Sequence, residues 1–384
     1  MKLFISDKVS TMPTSIFSSM SKMAFEYNAI NLGQGFPNFD GPDWLKEELY
    51  KATLDGKNQY APSIGIYSLR KKIAEYHKEY YDLNWDTESD ITITAGATEA
   101  LFCSIMAIIN PGDEVILFEP FYDSYQANVQ LAGGICKYVT LKKPNFDFDF
   151  EELRSLINKR TKIIILNSPH NPTGKVFNLE ELNFIAKLAI ENDLLVVSDE
   201  VYEFLTYENR KHIPIATLDG MKKRTITISS IGKTFSMTGW KIGYAIADSK
   251  LTDAIRKIHQ WVTFAVNTPA QHSAAFAFSK LDEYLPEFRK NYQLKRDLLI
   301  NGLKNTKFNI FKPYGSYFIM AEYPKDLFHN DIHAATELVT KYKIATIPTS
   351  VFYSKSDEGK EMLRLCFAKT DDVLKEGIEI LNKI

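Results

Sequence analysis

Short apolar runs alternate with helical patterns through the middle of this chain, and the runs end on polar, glycine or proline residues. Ile91 to Thr94, Glu114 to Phe118, Ile135 to Leu141, Lys162 to Leu166, Leu194 to Ser198, Thr225 to Ser229 and Ile242 to Ala247 read as strands. Glu99 to Ile109, a stretch ending at Leu131, and Leu179 to Glu191 read as helices between them. Such alternation predicts an α/β fold in which a mostly parallel, seven-stranded sheet lies between layers of helices. Open sheets of this kind bind ligands at the carboxyl ends of their strands. The residues just after each run therefore carry the functional argument.

Beyond about residue 250 the pattern turns helical, over Lys250 to Gln260, Pro269 to Lys280 and Leu285 to Leu303. Short strands follow near Phe308 to Phe311, Ser316 to Glu322, Ile344 to Thr346 and Met362 to Phe367, with helices near Ile332 to Tyr342 and Asp371 to Lys383. This predicts a smaller α+β unit. The first 40 or so residues hold Pro13, Gly33, Gly35 and Pro37 with little periodicity, and read as an arm that packs on the small unit or on a partner subunit. The expected division is an arm over 1–40, a large domain over 41–284 and a small domain over 285–384. A chain of 384 residues has ample length for this.

A formal net charge of -2 gives no electrostatic case for nucleic acid or an anionic membrane. No apolar run approaches the ~20 residues that span a bilayer. The segment Met1 to Lys8 is too short and too soon charged for a signal peptide. Cys103, Cys136 and Cys366 are far apart in apolar surroundings, which favours buried free thiols and a cytoplasmic location. His329 and His333 share a helical spacing, with Asp326 and Asp331 nearby, but read as a solvated face rather than a metal site.

Five segments carry chemistry. Ser229 to Lys241 sets Lys233 among small and hydroxylated residues directly after a strand, where a lysine can form a Schiff base with a carbonyl; alone, it is equally a surface lysine. Thr94 to Leu101 joins a strand end to a helix start. Gly96, Ala97 and Thr98 there offer N–H groups and a hydroxyl to a phosphate, or simply make an ordinary N-cap. Phe118 to Tyr125 brings aromatic rings to a strand end, where Tyr122 can stack on a flat ring or fill the core. In Leu166 to Val176, two X-Pro units and Gly174 build a rigid turn, with Asn171 a neutral donor for a phenolate oxygen. In Val196 to Tyr202, Asp199 ends an apolar strand and needs a cation, such as a pyridinium N–H, unless it and Glu200 are a helix-start pair. Tyr202 lies three residues on. One ligand answers all five: a ring with a phosphate, a phenolic oxygen, a ring nitrogen and an aldehyde, which is pyridoxal 5'-phosphate (PLP).

With these motifs the chain resembles the fold-type-I PLP enzymes, class I/II aminotransferases, over essentially its whole length. It is most similar to the methionine and kynurenine aminotransferases through Ile30 to Phe39, Asn58-Gln59-Tyr60, Glu119 to Asp123 and Thr234 to Lys241. Phe264 to Gln271 resembles the bacterial methionine type in particular. The resemblance implies that Lys233 is the Schiff-base lysine and proton shuttle, that Asp199 pairs with the pyridine nitrogen, and that Asn171 and Tyr202 hold the ring oxygen. It implies that Tyr122 stacks on the ring and that Gly96, Ala97, Thr98, Ser230 and Lys241 hold the phosphate. Tyr60 would reach the phosphate of a neighbouring subunit, which implies a homodimer with shared sites. Gly35, Asn171 and Arg364 would meet the substrate carboxylate. The apolar flanks of Arg364 independently argue for an anionic partner.

Two positions depart from the kynurenine pattern. Phe17 stands where those enzymes carry tryptophan, and Ala265 where they carry histidine. An apolar pocket around Phe17, Tyr60 and Phe264 then suits methionine and aromatic amino acids. The implied activity is transfer of an amino group from an L-amino acid to a 2-oxo acid. The alternative on the same fold is a C–S β-lyase acting on cysteine conjugates or cystathionine. A regulatory protein of this fold would add a basic helix-turn-helix, which the sequence lacks, and a nicotinamide enzyme would carry G-x-G-x-x-G after its first strand.

Overall fold

The computed structural model describes every residue except 1–3, 11 and 13, so Pro13 and the start of the Met1 to Lys8 segment lie outside the described residues. Its centre is a seven-stranded sheet. From edge to edge the order is Ile91–Thr94, Gly243–Ile246, Thr225–Ser230, Leu195–Asp199, Thr161–Asn167, Glu114–Glu119, Ile135–Thr140. Six strands run in the same direction; Gly243–Ile246 alone runs antiparallel to both its neighbours.

The central strands of this sheet are largely apolar because both faces are covered. Val115, Leu117, Ile163 and Ile165 pack into one apolar cluster with the helix Gly96–Ile108. Ile116, Phe118, Ile164 and Leu166 pack into the other with Leu182 and Ile185 of the helix Leu179–Glu191. Successive side chains point to opposite faces, so a run with no polar member fills two cores at once.

A second, antiparallel sheet has the order Ile347–Pro348, Met362–Cys366, Phe318–Glu322, Asn309–Phe311. The long helix Leu281–Leu303 leads into it from the large sheet's side of the chain. Near the N-terminus, Ile30–Asn31 pairs in parallel with Ile344–Ala345, and Cys366 N–H donates to the Leu32 carbonyl at 2.7 Å. The segment after residue 30 is thereby stitched to the second sheet.

Several local expectations need correction. The first 40 residues contain a helix, Ile16–Glu26, that the sequence reading passed over. Ile16, Met20, Met23 and Ala24 recur in it at helical spacing and pack against the core, so the periodicity is present in the sequence although only Met20 and Ala24 are fully buried. The helix expected from Leu285 begins at Leu281 and holds Pro286 inside, forfeiting one backbone bond. The strand expected over Ile344 to Thr346 divides, Ile344–Ala345 pairing with the arm and Ile347–Pro348 with Met362–Cys366.

Candidate active site

The carboxyl ends of the large sheet's parallel strands, the segment after Ile30–Asn31 and the second sheet enclose a cavity of about 290 Å³. Asp199 sits in its floor, at the end of the strand Leu195–Asp199. Its Oδ2 accepts a hydrogen bond from Tyr125 Oη at 2.6 Å, and its Oδ1 accepts from Val201 N–H at 3.3 Å. Burial pushes its carboxyl up to about 6, while the Tyr125 hydroxyl, the Val201 N–H and the Lys233 charge pull the other way. No basic side chain is bonded to it among the described residues.

Lys233 stands in the four-residue helix Ile231–Thr234 that follows Thr225–Ser230. Its Nζ donates to Tyr317 Oη at 3.1 Å and lies 3.4 Å from the Gly35 carbonyl, to which Tyr317 Oη also donates at 2.6 Å. Enclosure by protein lowers its ammonium to about 8, though Asp199 opposes the change. A lysine tuned this way is partly neutral near pH 7, as a nucleophile or base must be.

The helix Gly96–Ile108 points its N-terminus into the cavity, and its N-cap residue, Ala95, supplies no side-chain cap. Gly96, Ala97 and Thr98 line the wall, and Lys241 Nζ is 3.5 Å from Thr98 Oγ1. Gly243 crosses directly behind this turn: a Cβ there would stand 2.5 Å from the Gly96 carbonyl carbon and 2.6 Å from Ala97 N. Uncapped N–H groups, a hydroxyl and an ammonium together form a cup for a phosphate.

Arg364 comes from the middle of the second sheet and is 1% exposed. Its two Nη atoms donate to Asn171 Oδ1 and to the Gly33 carbonyl, each at 2.9 Å, and its Nε has no partner. The guanidinium lies 4.1 Å from the Phe318 ring centre and 4.9 Å from that of Phe17. No carboxylate is bonded to it among the described residues. Gly35 passes so close that a Cβ would meet the Phe318 ring at 2.7 Å.

Thirteen of the fifteen residues singled out from sequence line this one cavity: Phe17, Gly35, Gly96, Ala97, Thr98, Tyr122, Asn171, Asp199, Tyr202, Ser230, Lys233, Lys241 and Arg364. The other two, Tyr60 and Phe264, lie outside it, 83% and 54% exposed, their rings edge-to-face at 5.4 Å. Sequence reasoning passed over Tyr125, Asn167 and Tyr317. Asn167 accepts from Asn171 N–H at 2.7 Å and donates to the Asp199 carbonyl at 2.8 Å. Tyr125 and Asn167 fall within segments already singled out. Tyr317 is reached through a second-sheet strand with no motif of its own.

These residues suit PLP. A buried carboxylate without a cation, a phosphate cup, a depressed lysine and an aromatic face at Tyr122 match its ring nitrogen, phosphate, aldehyde and ring. The sheet order and this site define a fold-type-I PLP enzyme.

The comparisons narrow the class. The sequence profile of aminotransferase class I and II matches residues 27–381. The methionine aminotransferase of Escherichia coli (strain K12) is 40% identical over 380 residues, covering 98% of this chain and 97% of that one. A kynurenine–oxoglutarate transaminase of Dictyostelium discoideum is 38% identical, covering 99% and 96%. A crystal structure of an Escherichia coli protein identified as a methionine aminotransferase superposes with a TM-score of 0.95 at 39% identity, covering all of both chains. The chain belongs to the class I and II aminotransferases. It is a PLP-dependent aminotransferase.

Proposed function

We propose that this enzyme moves the amino group of an L-amino acid, with methionine and aromatic amino acids favoured, to a 2-oxo acid. The carrying observation is the pairing, in one cavity, of a depressed lysine with a buried arginine that has no carboxylate partner. PLP, when bound, supplies the aldehyde and the electron sink.

The protein's own residues do the rest. Arg364 takes the substrate carboxylate through its planar fork, steadied by the Phe318 face. Asn171, fixed between Arg364 and Asn167, stands ready to donate its amide to the ring oxygen, with Tyr202 as the second donor. Asp199, in the cavity floor, would hold the ring N–H of bound PLP and keep that proton in place. Gly96, Ala97, Thr98, Ser230 and Lys241 would hold the phosphate of bound PLP, and Tyr122 would cover its ring. Lys233 Nζ, neutral in part near pH 7, takes the α-proton of the substrate and later returns it. The same groups serve the second half-reaction, with the acceptor acid on Arg364.

Tyr60 and Phe264 form an exposed aromatic pair on a loop pinned by Thr268 Oγ1, which donates to the Gln59 carbonyl at 2.7 Å. That arrangement supports a homodimer in which they complete the site of a second copy, adding to the apolar side-chain pocket around Phe17. An arm over 1–40, a large domain over 41–284 and a small domain over 285–384 fit this scheme. No helix among the described residues is long and apolar enough to cross a membrane, and the three free cysteines favour the cytoplasm.

Borohydride reduction of the holoenzyme followed by peptide mapping will place the fixed cofactor on residue 233; a label elsewhere refutes the assignment. A panel of amino acids against several 2-oxo acids, ranked by kcat/KM, will put methionine and aromatic donors first. Strong preference for dicarboxylic donors would refute that specificity. Steady release of pyruvate and ammonia without an acceptor would mark a β-lyase instead.

A further inference from the structure

The proposed phosphate cup is tied to a distant segment by a side chain that touches neither cofactor nor substrate. His259, in the helix Ser249–Val262, is fully buried. Its Nδ1 is 2.6 Å from Glu99 Oε1 and its Nε2 is 2.7 Å from the Ser63 carbonyl oxygen. Glu99 Oε2 accepts in turn from the backbone N–H of Ala95, the residue that opens the cup. A carbonyl oxygen and a carboxylate both only accept. A ring between them donates from both nitrogens and is an imidazolium.

Ser63 belongs to the same loop as Tyr60. That loop is held at its far end by Ile66 N–H donating to Gln271 Oε1 at 2.8 Å, and by Ile93 N–H donating to the Ile64 carbonyl at 3.0 Å. Glu99 and His259 therefore join the turn Ala95–Thr98 to the loop that presents Tyr60.

We propose that His259, as a cation, is a positioning residue that latches the phosphate cup to the Tyr60 loop and sets the preference of the site for a phosphate-bearing ligand. The inference rests on reading Gly96, Ala97, Thr98 and Lys241 as that cup.

The surroundings agree with a charged latch. Burial pushes the His259 imidazolium down, but the Glu99 bond and charge and the Ser63 carbonyl outweigh it, leaving the group above its ordinary 6.5. Burial pushes Glu99 up, but His259 and the Ala95 N–H outweigh that, and its carboxyl stays below its ordinary value. From the helix Gly96–Ile108 the other titratable neighbour is Cys103, a thiol 3.9 Å from Glu99 that burial pushes up to about 12. From its own helix Arg256 opposes the charge, while binding Thr92 Oγ1 and the Glu88 and Ile91 carbonyls. From the loop only a backbone carbonyl faces it. The sign follows: the latch is closed below pH 6.5 and opens as pH rises through the raised value.

The test compares PLP with 5-deoxypyridoxal, which lacks both the phosphate and the 5'-hydroxyl, keeps the same ring and aldehyde and cannot close to a hemiacetal. Apoenzyme is titrated with each by absorbance between pH 7 and 10, where the phosphate is already dianionic. Titration of Lys233 alters both ligands alike and cancels in their ratio. The wild type should prefer PLP, with a preference that declines as pH rises. His259→Gln should lower the preference about tenfold, leave 5-deoxypyridoxal affinity unchanged and flatten the pH profile. Glu99→Gln should do the same. Equal losses for both ligands, or an unchanged preference, would show a merely structural pair and overturn the latch. Should the variants fail to fold, a pH-independent preference in the wild type alone would overturn it. A wild type that holds PLP no better than 5-deoxypyridoxal would instead remove the cup on which the latch depends.

Discussion

Asp199 and Arg364 are both enclosed charges of one cavity, one from each sheet, and they are prepared in opposite ways. Both oxygens of Asp199 are already fixed, by Tyr125 Oη and by Val201 N–H, and its backbone carbonyl is held by Asn167 Nδ2. Arg364 is held by neutral acceptors and aromatic faces, and its Nε is bare. A carboxylate locked in place on rigid parallel strands suits a group that stays through every cycle. A guanidinium on weaker, exchangeable neutral bonds suits a ligand that arrives and leaves each half-reaction. The protein thus keeps two opposite charges apart and uncompensated, each costly in the apoenzyme and each matched to a different ligand.

The largest break in that comparison comes from Asp199→Asn. Without the fixed negative charge the ring proton is lost, and kcat/KM should fall by about 10³-fold in steady-state assays. The apoenzyme should move the other way. The folded carboxyl titrates near 6 and the unfolded one near 3.9, so the folded state binds more protons between these values. Stability therefore falls as pH rises through that window, and the buried charge costs about 2–3 kcal/mol at neutral pH. Denaturant unfolding of Asp199→Asn apoenzyme at pH 7 should show a gain of that order, which vanishes below pH 4. A loss of stability at pH 7 would mean that the carboxylate is paired in the apoenzyme after all.

Arg364→Lys tests the other charge with a smaller effect. Lysine keeps the sign but loses the two-pronged fork and the flat face against Phe318. The expected fall in kcat/KM is about 10²-fold, carried mostly by KM for amino acid and oxo acid alike, while PLP affinity stays near wild type. A fall in kcat with unchanged KM would place Arg364 in the chemistry rather than in carboxylate recognition.

The two halves were also unequally legible in the sequence. The cofactor half is written in contiguous segments, because a parallel strand delivers its chemistry in the turn directly after it. Thr94 to Thr98, Asn171, Asp199 to Tyr202 and Ser230 to Lys233 each follow an apolar run. The sheet itself was legible for the same reason, since strands covered on both faces are largely apolar, and the threonines and serines that interrupt them, as in Ile91–Thr94 and Thr225–Ser230, are small and, Ser230 apart, themselves buried. The proposed substrate half is assembled from single residues far apart, Phe17, Gly35, Phe318 and Arg364, with Tyr317 bonded to Lys233 and to the Gly35 carbonyl, brought together by antiparallel pairing and by the join of Ile30–Asn31 to Ile344–Ala345. Tyr317 gave no sign because its partner, the Gly35 carbonyl, lies 282 positions away in the chain. Tyr60 and Phe264 could be placed only by resemblance, since a single chain leaves them facing outward.

Tyr125→Phe sharpens the comparison most finely, because it loosens Asp199 without removing it. The Tyr125 hydroxyl is buried and donates to Oδ2 at 2.6 Å, the closer of the two bonds that favour the ionised carboxylate. Its loss leaves burial less opposed, so the carboxyl moves further up. A hydrogen bond to a charged group contributes ~1.5–3 kcal/mol, equivalent to roughly one to two pH units. The acid limb of the kcat/KM profile should therefore shift to higher pH by about that amount, with activity on the alkaline plateau reduced no more than about fivefold. The alkaline limb, governed by other groups, should stay where it is. If the acid limb does not move, Tyr125 only fills space beside Asp199, and the rigidity ascribed to the cofactor half must come from the backbone bonds of Val201 and Asn167 instead.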